Sequence, residues 1–237
     1  MDEIFSRTEL LLGSEAMENL KKKRVVIFGV GGVGGYVLEG LIRSGVYEID
    51  LVDSDTVSKS NINRQIIALS DTVGRKKVEV AKERALKINP NAKINAFDLF
   101  YDESTAEKFD LSSYDYVIDA IDTVKSKILL IERAYREGVK IISSMGAGNK
   151  LNPAKFEVSD IYKTSVCPLA RVIRHKVREL GIKRLKVVYS KEAPRSCVVK
   201  DGAITRHAPA SIAFVPSVVG LIIAGEVVRE LCNYFRK

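Results

Sequence analysis

Residues 25–35 read VVIFGVGGVGG, four apolar residues of strand type followed by five glycines within seven positions. A helical pattern from Tyr36 to Ser44 comes directly after them. Strand, glycine-rich turn and helix in this order indicate a nucleotide site, because glycines let a phosphate approach the backbone N–H groups of the helix N-terminus. Close packing of strand against helix is the alternative use of these glycines. The predicted phosphate-turn residues are Gly29, Gly31, Gly32 and Gly34.

Apolar segments and helical patterns alternate along most of the chain, which predicts an α/β fold: a Rossmann-like, doubly wound and mostly parallel sheet. After Gly148 the pattern changes, and we expect that part to extend the sheet and overhang the nucleotide site. We predict one domain over residues 1–237, with a nucleotide-binding core at about 22–150 and an extension at about 151–237. Strands are expected near Glu48–Val52, Lys93–Phe97, Tyr116–Asp119, Val139–Ser143, Phe156–Ile161 and Leu185–Tyr189, and helices near Ser14–Lys21, Arg75–Lys87, Glu103–Phe109, Val124–Glu137 and Pro168–Leu180.

Composition excludes several classes of protein. The 237 residues are 46% hydrophobic, enough for one sizeable core. The most apolar stretch, Ala208–Val228, is interrupted by Pro209 and Pro216, so we expect no membrane span and a cytoplasmic protein. Three widely spaced cysteines argue against a disulfide framework and against zinc. Cys232 is expected to pack in the core, and Cys197 to be either inert or a reactive thiol.

Charged and polar residues follow the glycines in a regular series. Asp53 ends the next apolar segment about 20 residues on, where such folds place the carboxylate that binds ribose hydroxyls. Then come Asp55, the run NINRQ at 61–65, Lys77 and Asp122. Converging cations with a carboxylate able to hold Mg²⁺ suit nucleotidyl transfer, because charge builds on the α-phosphate and on the departing pyrophosphate.

With these residues the chain resembles the ubiquitin-activating-enzyme-like superfamily, which includes the adenylyltransferases of the molybdopterin and thiamin sulfur carriers. Within it, the resemblance is greatest to the tRNA threonylcarbamoyladenosine dehydratases. It extends from the FSRTELLLG run at residues 5–13 to the apolar C-terminal helix.

The resemblance assigns roles to particular residues. It implies that Arg64 and Lys77 bind the phosphates of ATP, leaving Lys76 to solvent, and that Asp122 holds Mg²⁺. It also implies a homodimer, in which Arg7 reaches the phosphates of the neighbouring subunit. Asn61 and Asn63 belong to the implied nucleotide segment, although both could form Asx-turns. Asp53 and Asp55 could cap a turn, and Asp119 could satisfy loop backbone.

Positive charge is concentrated in the extension. Residues 163–200 hold 11 Lys and Arg against two acidic residues, a net charge of +9, while the whole chain carries +8. Such a patch favours a polyanionic partner, and the resemblance names tRNA. A solvated helix face without function is the alternative. The candidate tRNA-binding residues are Arg171, Arg174, Arg178, Lys183 and Arg184.

The resemblance therefore implies an ATP-dependent dehydratase that adenylates the carboxylate of threonylcarbamoyladenosine in tRNA and cyclises it. Two other classes stay open: an adenylyltransferase that activates the C-terminus of a ubiquitin-like sulfur carrier, and an NAD-binding oxidoreductase or nucleotide sensor. A sulfur-transfer protein is a further candidate partner.

Overall fold

The computed structural model describes residues 3–196 and 209–233. Its centre is a seven-stranded sheet. The strands are β1 (Arg24–Phe28), β2 (Glu48–Val52), β3 (Lys93–Phe97), β4 (Tyr116–Asp119), β5 (Ile141–Ser144), β6 (Phe156–Asp160) and β7 (Lys186–Ser190). Their order in the sheet is β3-β2-β1-β4-β5-β7-β6. All neighbouring strands are parallel except β6, which runs antiparallel to β7 at the edge.

Helices cover both faces of the sheet. The helices are α1 (Ser6–Leu12), α2 (Ser14–Lys21), α3 (Gly34–Arg43), α4 (Lys77–Ile88), α5 (Val124–Arg136), α6 (Pro168–Glu179) and α7 (Phe214–Leu231). Alternate residues of β1 point to opposite sides of the sheet. Val25 and Ile27 lie in the core beneath α3, α4 and α7, while Val26 and Phe28 lie in the core beneath α5.

The last helix is held against the first crossover helix by close backbone contact. A Cβ at Gly40 of α3 would lie 2.5 Å from the Cβ of Ala224, and one at Gly220 of α7 would lie 2.5 Å from the Val33 oxygen. Any larger residue would push the two helices apart, so α7 closes the core directly behind the glycine-rich turn.

The predicted α/β fold with a mostly parallel sheet is confirmed, and β6 and β7 extend that sheet as expected. The helix expected near Glu103–Phe109 is wrong: only a 3-10 turn, Ala106–Lys108, forms there. The Asp102 side chain accepts hydrogen bonds from Ser104, which favours a turn over a helix. The strand expected from Val139 begins at Ile141, because the Val139 N–H closes the end of α5 on the Ala134 oxygen.

Candidate nucleotide site

The carboxyl ends of β1, β2, β4 and β5 open onto a cavity of about 650 Å³. This is the edge of a parallel sheet where ligands of such folds bind, and the volume suits a nucleotide. The cavity brings together most of the predicted nucleotide residues. They are Gly29, Gly31, Gly32, Asp53, Asp55, Arg64, Lys77 and Asp122.

The glycines of the turn serve two different purposes. Gly29 has φ +90°, and a Cβ there would lie 2.6 Å from the Ala120 oxygen; a Cβ at Gly34 would lie 1.8 Å from the Gly29 oxygen. These two glycines are required by backbone packing. Gly31 is different, because its nearest neighbour would be the Gln65 amide at 3.8 Å. Gly31 and Gly32 line the cavity and leave the turn open to a phosphate.

Asp53 organises the turn from the end of β2. Its Oδ2 accepts a hydrogen bond from the Val30 N–H at 2.7 Å, and its Oδ1 accepts one from the Asp55 N–H at 2.8 Å. The carboxylate therefore fixes the glycine turn relative to β2. Asp53 thus caps the turn, as the alternative interpretation had it. It also lines the cavity, so ribose binding by the same carboxylate stays a prediction.

Lys77, not Lys76, reaches the cavity. It is the first residue of α4, its side chain is only 7% exposed, and its Nζ lies 2.6 Å from Asp55 Oδ2. Lys76 points away, into an ion pair with Asp98 at 3.0 Å. Asp55, which is mostly exposed, is the counter-ion of this buried lysine.

Arg64 is aimed by its own short segment. Its Nη1 donates to the Ser60 oxygen and to Asn63 Oδ1, both at 2.8 Å. Asn61 and Asn63 are outside the cavity lining. Asn61 is buried and its Oδ1 accepts from the Ser58 N–H at 3.0 Å, while Asn63 Nδ2 donates to the Ser211 oxygen at 3.0 Å. Both asparagines shape the segment that presents Arg64, so direct contact of either with nucleotide stays a prediction.

Gln65 is a cavity residue that the sequence analysis missed as a ligand. It is buried, and its Oε1 has no hydrogen-bond partner among the described residues. An unsatisfied buried amide next to Gly31 is what a bound nucleotide could complete. Its place directly after Arg64 was the available signal.

Two aspartates at the end of β4 have separate environments. Asp119 is fully buried and pairs with the equally buried Lys127 at 2.8 Å, with Ser143 Oγ at 2.5 Å from the same carboxylate. Asp122 is exposed on the cavity wall, and its one described hydrogen bond comes from Thr123 Oγ1 at 3.4 Å. Asp119 therefore has a structural role beneath the cavity. Of these two aspartates, Asp122 is the one whose carboxylate is available to a metal.

The far wall of the cavity comes from the end of the core, residues 145–150, and from the extension, which overhangs the site as expected. It includes the loop after β5, the start of α6 and both flanks of the undescribed stretch. Asn149, at φ +60°, ties these parts together: its oxygen accepts from the Arg195 N–H at 2.8 Å, and its Oδ1 accepts from the Ala210 N–H at 2.7 Å. This wall is lined by Met145, Gly146, Ala147, Gly148, Asn149, Lys150, Cys167, Pro168, Leu169, Pro194, Pro209 and Ser211.

Four of the five candidate tRNA-binding residues are exposed, and Arg174 is partly buried. The Arg174 guanidinium donates to the oxygen and the hydroxyl of Thr164, at 2.9 and 2.6 Å, so its contact with tRNA stays a prediction. Arg178 lies over the Tyr162 ring at 5.6 Å. The exposed members are Arg171, Arg178, Lys183 and Arg184.

The remaining candidates lie elsewhere. Arg7 is exposed on α1, away from the cavity of its own chain. Cys197 lies outside the described residues. Cys232 packs partly buried against the core, and burial raises the pKa of its thiol. Among the described helices, none is long and apolar enough to cross a membrane.

The sequence model of the ThiF family matches residues 5–237 of the chain. The chain belongs to the ThiF family. This ThiF-family chain is 47% identical over 238 residues to a Bacillus subtilis tRNA threonylcarbamoyladenosine dehydratase, a match that covers 96% of the chain and 94% of that relative. The Escherichia coli relative of the same name is 37% identical over 174 residues, 73% of the chain and 65% of the relative.

Solved structures agree. The crystal structure of the E. coli tRNA N6-threonylcarbamoyladenosine dehydratase in complex with ATP matches with a TM-score of 0.89 at 29% identity, covering 99% of this chain and 96% of that chain. The expected fold and the expected resemblance to dehydratases are therefore confirmed.

Proposed function

We propose that this ThiF-family chain is an ATP-dependent tRNA threonylcarbamoyladenosine dehydratase that activates its substrate by adenylation. One observation carries the proposal. A single cavity joins a phosphate-type glycine turn, two cations and an available carboxylate, in a chain nearly half identical over almost its whole length to an enzyme of that name. The predicted function is thus the one named for the Bacillus subtilis relative.

The nucleotide is held by the turn between β1 and α3. Gly31 and Gly32 leave backbone N–H groups open to phosphate at the start of α3, whose dipole favours an anion. Asp53 accepts the ribose hydroxyls while its hydrogen bond to Val30 keeps sugar and phosphate sites in register.

Arg64 and Lys77 meet the charge that develops at the α-phosphate and on pyrophosphate. Both line the cavity, from the segment before α4 and from the start of α4 respectively. Because Lys77 is nearly buried, its field is weakly screened, and it stabilises a transition state more than an exposed lysine would. On nucleotide binding the phosphate replaces, or joins, Asp55 as its partner.

The residues also fit Mg²⁺, which would be held by Asp122 together with the phosphates of ATP. Among the described residues no group of three or more acidic, histidine or cysteine side chains forms a complete metal site. One carboxylate is nevertheless enough, because Mg²⁺ is commonly bound by one or two carboxylates, waters and substrate phosphates. The ion would neutralise charge on the departing pyrophosphate.

The chemistry converts a poor electrophile into a good one. A carboxylate oxygen of the substrate attacks the α-phosphorus and pyrophosphate departs. An atom of the same side chain then attacks the acyl carbon, AMP leaves and a ring closes, with net loss of water from the nucleoside. The nucleophile is already part of the substrate, so proximity supplies the effective concentration that a catalytic cysteine would otherwise give.

The partners follow from the substrate. The exposed basic residues of α6 and the loop after it would contact tRNA, and the expected cytoplasmic location suits that substrate. Two further partners stay predictions. One is a second copy of the chain, in a homodimer in which Arg7 acts on the neighbouring site, and the other is a sulfur-transfer protein.

The deciding experiment incubates the protein with ATP, Mg²⁺ and tRNA bearing threonylcarbamoyladenosine. We expect AMP and pyrophosphate, and a nucleoside lighter by one water in mass spectrometry. The sulfur-carrier alternative predicts pyrophosphate release only with a ubiquitin-like protein. An oxidoreductase or a sensor would release none with either substrate.

A further inference from the structure

Lys150, a buried lysine in the far wall of the cavity, has no counter-charge in the part of the chain that the structure describes. Only 4% of the residue is exposed, and it lines the cavity. Within residues 3–196 and 209–233, its Nζ makes one hydrogen bond, a long one of 3.4 Å to the Gly148 oxygen, and no ion pair. An ammonium has three donors, so most of its capacity is unused.

The carboxylate that binds the backbone next to Lys150, that of Glu192, is committed elsewhere. Glu192 accepts from the backbone N–H groups of Leu151 and Asn152, at 3.1 and 2.8 Å, and pairs with Arg195 at 3.7 Å. An ammonium buried without a partner is unfavourable. The arrangement therefore suits a lysine that acquires its partner from a bound ligand.

The backbone that carries Lys150 is held in place by the hydrogen bonds of its neighbour. Asn149 is hydrogen-bonded on one side to Arg195 and on the other to Ala210, through both backbone and side chain. A residue next to such an anchor is pre-positioned, as a binding group must be.

The position of Lys150 indicates which anion it would contact: the phosphates of the nucleotide or a second anionic reactant. The phosphates already have the glycine turn, Arg64 and Lys77, which lie at the β1 and β2 side. Lys150 belongs to the loop after β5, and β5 is two strands from β1. It therefore lies on a different wall of the cavity from the phosphate-binding residues, where a second anionic reactant would approach the α-phosphate.

We infer that Lys150 binds the carboxylate of the substrate, a carbamoylated amino acid carried on tRNA, and orients it toward the α-phosphate. The inference rests on the proposed function and names the substrate subsite. Two anions repel each other on approach, and a cation beside the nucleophile lowers that repulsion. One carboxylate oxygen forms the new bond to phosphorus as the bond to pyrophosphate breaks, while Lys150 holds the other oxygen and keeps its proton.

The test measures whether Lys150 recognises the carboxylate itself. Binding of two tRNAs, one with threonylcarbamoyladenosine and one with unmodified adenosine, is compared in the presence of a non-hydrolysable ATP analogue. We expect the wild type to prefer the modified tRNA, and Lys150→Met and Lys150→Gln to lose about 10-fold to 100-fold of that preference, as for a hydrogen bond to a charged group.

Controls separate this role from others. Lys155→Met removes an exposed lysine of the same region and should keep the preference. Unchanged affinity of the Lys150 variants for the ATP analogue alone shows an intact cavity. The inference is overturned if both variants keep the preference, or if they weaken analogue binding without tRNA. If the wild type itself shows no preference, the proposed function fails first, and the substrate named here with it.

Discussion

Two cations of the cavity, Lys77 and Arg64, differ in what holds them. Lys77 is nearly buried against Asp55, whereas Arg64 is only partly buried and is oriented by Ser60 and Asn63. Replacing either by alanine should lower turnover about 100-fold or more with the fold intact, because charge develops where these groups point. Pyrophosphate release at saturating ATP measures it.

The neighbouring Lys76 provides a matched control for that experiment. It has the same chemistry one position earlier, but it pairs with Asp98 outside the cavity. Lys76→Ala should keep near wild-type turnover. Near wild-type release by Lys77→Ala or Arg64→Ala would refute the phosphate assignment.

Replacing the two aspartates at the end of β4 should have different effects, on Mg²⁺ dependence for Asp122 and on stability for Asp119. Asp122→Asn should leave stability unchanged and raise the Mg²⁺ concentration needed for half-maximal activity, since it removes an exposed carboxylate. Asp119→Asn should cost about 3 to 5 kcal/mol of unfolding free energy, because it leaves Lys127 charged and unpaired in the interior. Urea unfolding and Mg²⁺ titration of both variants separate the roles; an Asp122→Asn protein that needs no additional Mg²⁺ would exclude the metal assignment.

At the scale of elements, α6 and the loop after it form the candidate tRNA surface. Because Arg174 is tied to Thr164, the informative residues are Arg171 and Lys183, which are exposed. An Arg171→Glu, Lys183→Glu double variant should weaken tRNA binding, with log K of the wild type falling by about 0.7 to 0.9 per contact per decade of salt. ATP binding should not change.

A charge-matched control lies at the amino end of β5, opposite the carboxyl ends that form the cavity. Arg136→Glu with Lys140→Glu makes the same change in net charge on exposed residues far from the cavity mouth. Equal weakening by both double variants would mean a non-specific effect of net charge, and no weakening by the first would leave α6 as a solvated face.

The attachment of α7 to β7 should depend on pH. Burial alone would raise the pKa of Glu226, but hydrogen bonds from Lys186 and Arg229 hold that pKa below its usual value. The carboxylate therefore adds stability above the unfolded pKa of about 4.3, and this is lost as pH falls through the lower folded pKa. Urea unfolding of wild type and Glu226→Gln should differ at pH 7 and converge at low pH; a constant difference would contradict the coupling.

Local patterns were sufficient to predict some elements but not others. The glycine turn was predictable from spacing within a few residues and the choice of Lys77 from the family resemblance, and the structure brings both to the cavity. Asn61 as a cap and Arg174 bound to Thr164 depend on side-chain geometry that spacing does not determine. The false helix at 103–109 came from composition, although Asp102 and Ser104 carried a turn signal. Lys150 escaped notice because its importance lies in burial without a partner, which only tertiary contacts reveal.

At the scale of the whole molecule, exposed apolar side chains agree with the predicted homodimer. Leu10 and Leu11 on α1 are more than 80% exposed, and Leu221 lies half-exposed on α7. Such residues favour burial against a second copy. Light scattering should give a dimer at micromolar concentration, and Leu10→Glu with Leu11→Glu should give a monomer. A monomeric wild type would refute the prediction.

The dimer also makes Arg7 testable in trans. Arg7→Ala and Lys77→Ala should each be nearly inactive alone. Mixed under conditions of subunit exchange, they should regain activity, because one site of each mixed dimer then has both intact residues. No recovery on mixing, or full activity of Arg7→Ala, would exclude action across the interface.

The anchoring of both Arg195 and Ala210 at Asn149 makes one residue the junction of the far wall of the cavity. Chain segments at 149, 195 and 210 meet at its backbone and side chain, so a single substitution there acts on all three. Alanine at this position would remove the Oδ1 that holds the Ala210 N–H and would have to adopt a backbone with φ +60°, which asparagine tolerates better. Redesign of this wall is therefore better directed at its other lining residues than at Asn149.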